Sequence, residues 1–293
     1  MRNMTDHPTD SAAAAFGQLL GIMARLRDPK GGCPWDLEQS FKTIAPHTIE
    51  EAYEVADTIE RDDLEALPGE LGDLMFQVVF YAQMAAEAGL FRMEDVLAAI
   101  NGKMIDRHPH VFGTADIATA SAQTVAWEAH KAAERAKEAA ASGRQAATLD
   151  GVVTGLPALT RAEKLQRRAA RVGFDWPDAA PVLDKVREEM VEIESEMAGS
   201  ADPQRLDEEV GDLLFAAVNL ARHLKVDAEG ALRRANRKFE RRFRRMEELA
   251  AADGAVEKAD GSGKGQVGLP SSLESLEELW VRVKAEERGA ARS

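Results

Sequence analysis

The chain has 293 residues, 45% of them apolar and 30% charged, with a net charge of −14. That is enough apolar sequence for two domain cores. No run reaches the roughly 18 apolar residues of a membrane span, and the acidic balance argues against a general nucleic-acid coat, which needs a basic footprint. The opening residues lack the basic-then-apolar pattern of a secretory signal. Cys33 is the only cysteine, so no disulfide can form within the chain, and a reducing, cytoplasmic setting is expected.

Strong helix formers dominate, and alternating β-branched or aromatic runs are almost absent, so the fold is predicted to be all-α. Residues 1–15 read as a disordered tail. Helical patterning begins near Phe16 and breaks at Asp28-Pro29-Lys30-Gly31-Gly32. Further helices are predicted over Pro46–Glu60, Glu70–Ala88 and Met93–Arg107, the last stopped by His108-Pro109-His110. A polar helix is expected over Trp127–Ala140, followed by a linker at 141–152. The pattern then restarts: Leu156–Val172, a break at Gly173-Phe174-Asp175-Trp176-Pro177, then Ala180–Ala198. Asp202-Pro203 has the N-cap and first-turn chemistry of a helix start, reaching about Leu224. Ala228–Ala251, a glycine-rich stretch and Leu273–Arg288 complete the chain.

The restart is a repeat. Glu50-Glu51-x-x-Glu54 returns as Glu188-Glu189-x-x-Glu192, an offset of 189 − 51 = 138. Glu70-Leu71-Gly72-Asp73 returns as Glu209-Val210-Gly211-Asp212, an offset of 212 − 73 = 139. Asn101-x-Lys103-x-x-x-Arg107 matches Asn236-x-Lys238-x-x-x-Arg242, and Trp127-x-x-x-Lys131 matches Trp280-x-x-x-Lys284. Trp35-Asp36 and Asp175-Trp176 precede the acidic motifs. Ordered matches at nearly constant spacing mark a duplicated helical-bundle domain, with copies at 16–140 and 153–288.

Residues three or four apart share a helix face. Glu51 with Glu54, and Glu70 with Asp73, therefore form two acidic faces; Glu189, Glu192, Glu209 and Asp212 repeat them. Either motif alone is usually a solvated face. In order, twice, and beside an apolar helix, the pair points to metal binding, because clustered carboxylates need cations or bound protons. An all-oxygen set favours Mg²⁺, with Mn²⁺ possible, over iron. Gly72 and Gly211, costly inside helices, are expected to mark close helix contact.

Arginines crowd the helix around Arg233–Arg245, where most are expected to be a solvated face. Lys238 and Arg242 recur in both copies and are expected to face the acids and hold phosphate oxygens. His108-Pro109-His110 is read as a helix-terminating turn. Trp35 and Trp176 are expected in the core, and Trp280, beyond the glycine-rich stretch, as part of a lid.

Taken together, Gly32-Cys33-Pro34-Trp35-Asp36, Glu50-Glu51-x-x-Glu54, Gly69-Glu70-Leu71-Gly72-Asp73-Leu74, Arg107-His108-Pro109-His110-Val111-Phe112, Val172-Gly173-Phe174-Asp175-Trp176, Glu209-Val210-Gly211-Asp212-Leu213-Leu214-Phe215 and Lys238-Phe239-Glu240-Arg241-Arg242 resemble the MazG family of nucleoside triphosphate pyrophosphohydrolases. The resemblance covers about residues 16–288. It implies an all-α bundle, usually dimeric, that hydrolyses NTPs and dNTPs to the monophosphate and pyrophosphate with Mg²⁺, in nucleotide-pool cleaning and stress responses. Dimerisation also fits an apolar face expected from Val78, Val79, Phe80 and Met84.

On that reading Glu188 orients or deprotonates water, and Lys185, Lys238 and Arg242 grip the phosphates, with Trp280 closing over the nucleotide. The rival is a non-enzymatic sensor or scaffold with the same sites. Both copies hold the full acid set, but Asp106 stands where the second copy has Arg241, so most turnover is expected from 153–288.

Overall fold

The computed structural model describes residues 9–114, 147–199, 202–253, 269–270 and 272–290, with scattered positions between 119 and 145. Among them every regular element is a helix, and no helix is long and apolar enough to cross a membrane. The chain divides into two compact units, Met1–Lys131 and Ala132–Ser293. Residues 1–8, most of the expected helix at Trp127–Ala140 and the glycine-rich 254–268 lie outside the described residues.

The first unit contains α1 (Thr9–Leu26), α2 (Pro34–Glu38), α3 (Phe41–Glu60), α4 (Leu67–Glu87), α5 (Met93–Arg107) and the single turn α6 (Pro109–Phe112). Helix α1 starts at Thr9, inside the segment expected to be a tail. Helix α3 starts five residues before Pro46, because Ser40 and Thr43 cap each other's backbone reciprocally. Such a cap is worth about 1 kcal/mol, enough to carry the helix past a proline near its start. His108 interrupts α5 as expected, its ring Nδ1 lying 2.7 Å from the Met104 carbonyl.

Helix α4 packs between α1 and α3. Met23, Ile44, Val79, Phe80 and Met84 form the buried core, flanked by Phe16, Leu19, Leu20 and Phe76. Each such side chain contributes about 1.5–3 kcal/mol on burial. Three residues expected on an intersubunit face, Val79, Phe80 and Met84, thus belong to the unit's own core; Val78 alone of the four is exposed.

The second unit contains α7 (Ala158–Ala170), α8 (Ala179–Ala198), α9 (Pro203–His223), α10 (Ala228–Ala252) and α11 (Leu273–Ala290). Helix α9 packs against both α7 and α8, and α10 against α11. Asp202 caps α9 by accepting from the Gln204 amide, with Pro203 in the first turn, as the sequence indicates. Met246, Leu249, Leu279 and Val283 close the α10–α11 seam.

Candidate active site

The two acidic helices of each unit bring their carboxylates together. In the second unit, carboxylate oxygens of Glu189, Glu209 and Asp212 all lie within 4.8 Å of one another; in the first, those of Glu51, Glu70 and Asp73 do the same. The cause is local periodicity plus pairing: i, i+3 spacing puts Glu209 and Asp212 on one face of α9, and α8 presents Glu189 to it.

Glu192, one turn after Glu189, and Glu54, its counterpart, are not among the carboxylates that converge within 4.8 Å. Desolvation, reinforced by the charge of Glu189 and opposed by Lys185, holds the Glu192 carboxyl above the usual range. Glu51 is likewise raised, by desolvation and then by Asp73 and Glu54. Like charges held this close favour a proton or a cation.

Lys185 Nζ lies 2.8 Å from Glu188 and 2.8 Å from Glu189, both on its own helix. Its pKa is raised, first by the hydrogen bond to Glu188 and then by that to Glu189. Glu189 is 3% exposed, and its Oε2 is buried with no hydrogen-bond partner. A buried carboxylate oxygen without a donor is costly. Together with the converging carboxylates of Glu209 and Asp212, it is a donor set compatible with a hard divalent cation.

A cavity of about 780 Å³ opens beside this cluster, within the size range of small-molecule sites. Glu189, Asp212 and Lys185 are among its lining residues. Leu165, Ala169, Val182, Phe215 and Ala216 give it apolar walls, and Phe174 and Trp176 give it aromatic ones. Helix α7 ends in a Schellman turn that delivers these aromatics: Gly173 sits at φ +85°, and the Phe174 amide donates back to the Ala169 carbonyl. The turn then runs into Asp175, whose carboxylate accepts from Arg222 at 2.9 Å and meets His223 at 3.1 Å. Those contacts, the Arg222 bond first, hold Asp175 down to about 2.

Several expectations change here. Trp176 lines the cavity and Trp35 is 53% exposed, so neither is a core anchor. Gly72 and Gly211 have open space where a Cβ would stand, so no close helix contact among the described residues requires them. Leu149, in the expected linker, is part of the cavity wall.

Lys238, Arg242 and Trp280 do not line the cavity. Arg242 pairs with Glu287 at 2.8 Å and lies 5.5 Å from the Trp280 ring centroid. Trp280 packs on the α10–α11 core and lies 5.5 Å from Phe239 between ring centroids. Arg242 and Trp280 are engaged with each other and with the α10–α11 seam.

Sequence reasoning missed Gln166, Asn219 and Arg222. Each lies in an unremarkable helical stretch, and only the position of α7 against α9 gives them a role.

The MazG nucleotide pyrophosphohydrolase domain profile matches residues 39–112 and 180–246. The chain is 52% identical over 271 residues to a nucleoside triphosphate pyrophosphohydrolase of Escherichia coli (strain K12), covering 92% of this chain and 97% of that protein. It belongs to the MazG family. A second relative, the nucleoside triphosphate pyrophosphohydrolase/pyrophosphatase MazG of Thermotoga maritima, is 41% identical over 273 residues, 93% of this chain and 97% of the other. The Mycobacterium tuberculosis nucleoside triphosphate pyrophosphohydrolase is 33% identical over 159 residues, 54% of this chain and 46% of that protein. The two matched segments hold the two acidic clusters, so the duplication seen in the sequence is a duplication of the family's domain.

Comparing the copies by the motif offsets shows where they differ. Phe80 stands where the second copy has Asn219, and Gln77 where it has Ala216. Phe80 is buried in the first unit's core, and Gln77 donates to Glu51 at 3.4 Å. His47, in place of Lys185, lies 3.5 Å from Glu50.

Proposed function

We propose that the second unit carries out Mg²⁺-dependent hydrolysis of nucleoside triphosphates to the monophosphate and pyrophosphate, with the triphosphate at the acidic end of the cavity and the base at its apolar end. That the chain is a nucleoside triphosphate pyrophosphohydrolase follows from its family and from relatives matched over nearly their whole length. The observation that supports the metal reading is the buried, donorless Oε2 of Glu189 among three convergent carboxylates.

Glu189, Glu192, Glu209 and Asp212 would hold Mg²⁺, with Mn²⁺ as a substitute. Bound there, the cation supplies charge neutralisation for the triphosphate and for the charge that develops as the anhydride breaks. The chain's own groups then position the reactants. Lys185 has three N–H donors and spends two on Glu188 and Glu189, leaving one for a phosphate oxygen. Glu188, exposed at the edge of the cluster, is placed to orient a water molecule and accept its proton. Phe174, Trp176 and Phe215 exclude water from the base end and offer flat faces to it.

Lys238 and Arg242, which recur in register as Lys103 and Arg107, would grip the triphosphate once Arg242 exchanges its Glu287 partner for phosphate oxygens. A homodimer is supported by the apolar side chains left exposed near the acidic helices, such as Met190, Val191, Val210 and Leu214. The first unit, its corresponding floor filled by Phe80 and Gln77, would serve stability or regulation.

The test is pyrophosphate release from a mixed pool of nucleoside triphosphates, with Mg²⁺ and after chelation. Release that requires the divalent cation is expected. Binding without release would return the chain to the sensor reading, and undiminished release in chelator would overturn the metal assignment.

A further inference from the structure

We infer that Gln166 reads the nucleobase, its Oε1 accepting a hydrogen bond from an N–H on the edge of the base. The inference rests on the placement of nucleotide in this cavity.

Gln166 sits on α7 and is 6% exposed. Its Nε2 donates to the Phe215 carbonyl at 2.8 Å. A backbone carbonyl can only accept, so the amide orientation is fixed, and the group turned the other way must be the oxygen. That oxygen is buried and has no hydrogen-bond partner. Gln166 lines the cavity, so an occupant can supply the missing donor. Native chains rarely leave a buried acceptor in this condition without a reason.

The surroundings identify which part of the nucleotide supplies it. Gln166 stands on the same helix as Leu165 and Ala169, and all three line the cavity together with Phe174 and Trp176. Flat apolar walls suit a base. The carboxylates Glu189 and Asp212 line the same cavity and account for the charged end. Adenine and cytosine carry an amino N–H on the edge that pairs with other bases, and guanine and uracil or thymine carry an imino N–H. A fixed acceptor therefore accepts all of these bases and disfavours a base with no edge N–H. The pinned amide reads the presence of a donor without choosing among the ordinary bases.

The experiment compares binding of adenosine monophosphate, its 2′-deoxy form and purine riboside monophosphate, which has hydrogen in place of the amine. Affinities are measured by calorimetry on the full chain with Mg²⁺, for the wild type and for Gln166→Leu. The wild type should prefer adenosine monophosphate over the amine-less analogue by about tenfold or more. Gln166→Leu should reduce that preference to about twofold or less, because the acceptor is gone while the cavity walls remain. Equal binding of the two by the wild type, or an undiminished preference in the variant, overturns the inference. Should Gln166→Leu fail to fold, the wild-type series still decides: a preference that follows the 2′-hydroxyl instead of the amine makes the ribose the donor and overturns it. Pyrophosphate release from ATP by the same preparations keeps the two readings apart. Release without base-edge preference sinks this inference alone, whereas the preference without release sinks the enzymatic reading and leaves Gln166 its role.

Discussion

Lys185 Nζ sits 2.8 Å from Glu189 Oε1, while Oε2 of the same carboxylate is buried with no donor. One half of the group is satisfied by the chain, and the carboxylate converges with those of Glu209 and Asp212 to within 4.8 Å. A single lysine cannot neutralise that cluster, and the remaining charge is compatible with a divalent cation.

Replacing Glu189 by Gln, or Asp212 by Asn, preserves shape and removes one charge. Even groups one shell removed from a metal typically cost about 10- to 100-fold in metal affinity or activity when mutated, so a direct ligand should cost at least that. Pyrophosphate release at limiting Mg²⁺ and calorimetric Mg²⁺ titration should both show the loss, with the circular dichroism spectrum unchanged. Near-normal release in either variant would remove that residue from the metal site.

The two copies should contribute unequally. Glu189→Gln with Glu192→Gln should abolish hydrolysis, and Glu51→Gln with Glu54→Gln should leave most of it. The reason is the floor: Asn219 and Ala216 leave room beside the second cluster, where Phe80 and Gln77 occupy the equivalent positions in the first. The opposite pattern of activities would assign turnover to the first unit.

Light scattering at micromolar concentration should give twice the 31.9 kDa chain mass. Val210→Glu with Leu214→Glu should shift the protein toward the monomer, since both side chains are exposed. Phe80→Ala should act differently, costing about 3–5 kcal/mol of stability as a core truncation without changing the mass. A monomeric wild type would overturn the dimer.

The Asp175–Arg222 pair should make stability fall in acid. Asp175 is held down to about 2 in the fold, chiefly by its bond from Arg222, against an ordinary value near ~3.9 in the unfolded chain. A depressed carboxyl contributes its stability above the unfolded value and loses it as pH drops from about 4 toward 2. Allowing for solvent screening, the contribution is on the order of 1 kcal/mol. Urea unfolding of wild type and Asp175→Asn should differ by that amount at pH 6, by roughly half of it near pH 3, and converge toward pH 2. A difference that does not shrink would remove the ion pair as its source.

Much of this protein is local information. The helix class, the Asp202-Pro203 start, the break at Gly173 and the doubled acidic motifs all depend on residues within a few positions of each other. Helical spacing alone puts Glu209 and Asp212 on one face, and repetition at a constant offset separates such a motif from an ordinary charged surface. Long-range pairing settled the rest. Gln166 meets Phe215 across 49 residues, and Arg242 meets Glu287 across 45; neither partner carries a spacing signal. A tryptophan reads alike in a core and on a cavity wall, so Trp176 could be placed only by the packing of α7 against α9. The acids were legible because a helix repeats every 3.6 residues, whereas the cavity beside them exists only where separate helices meet.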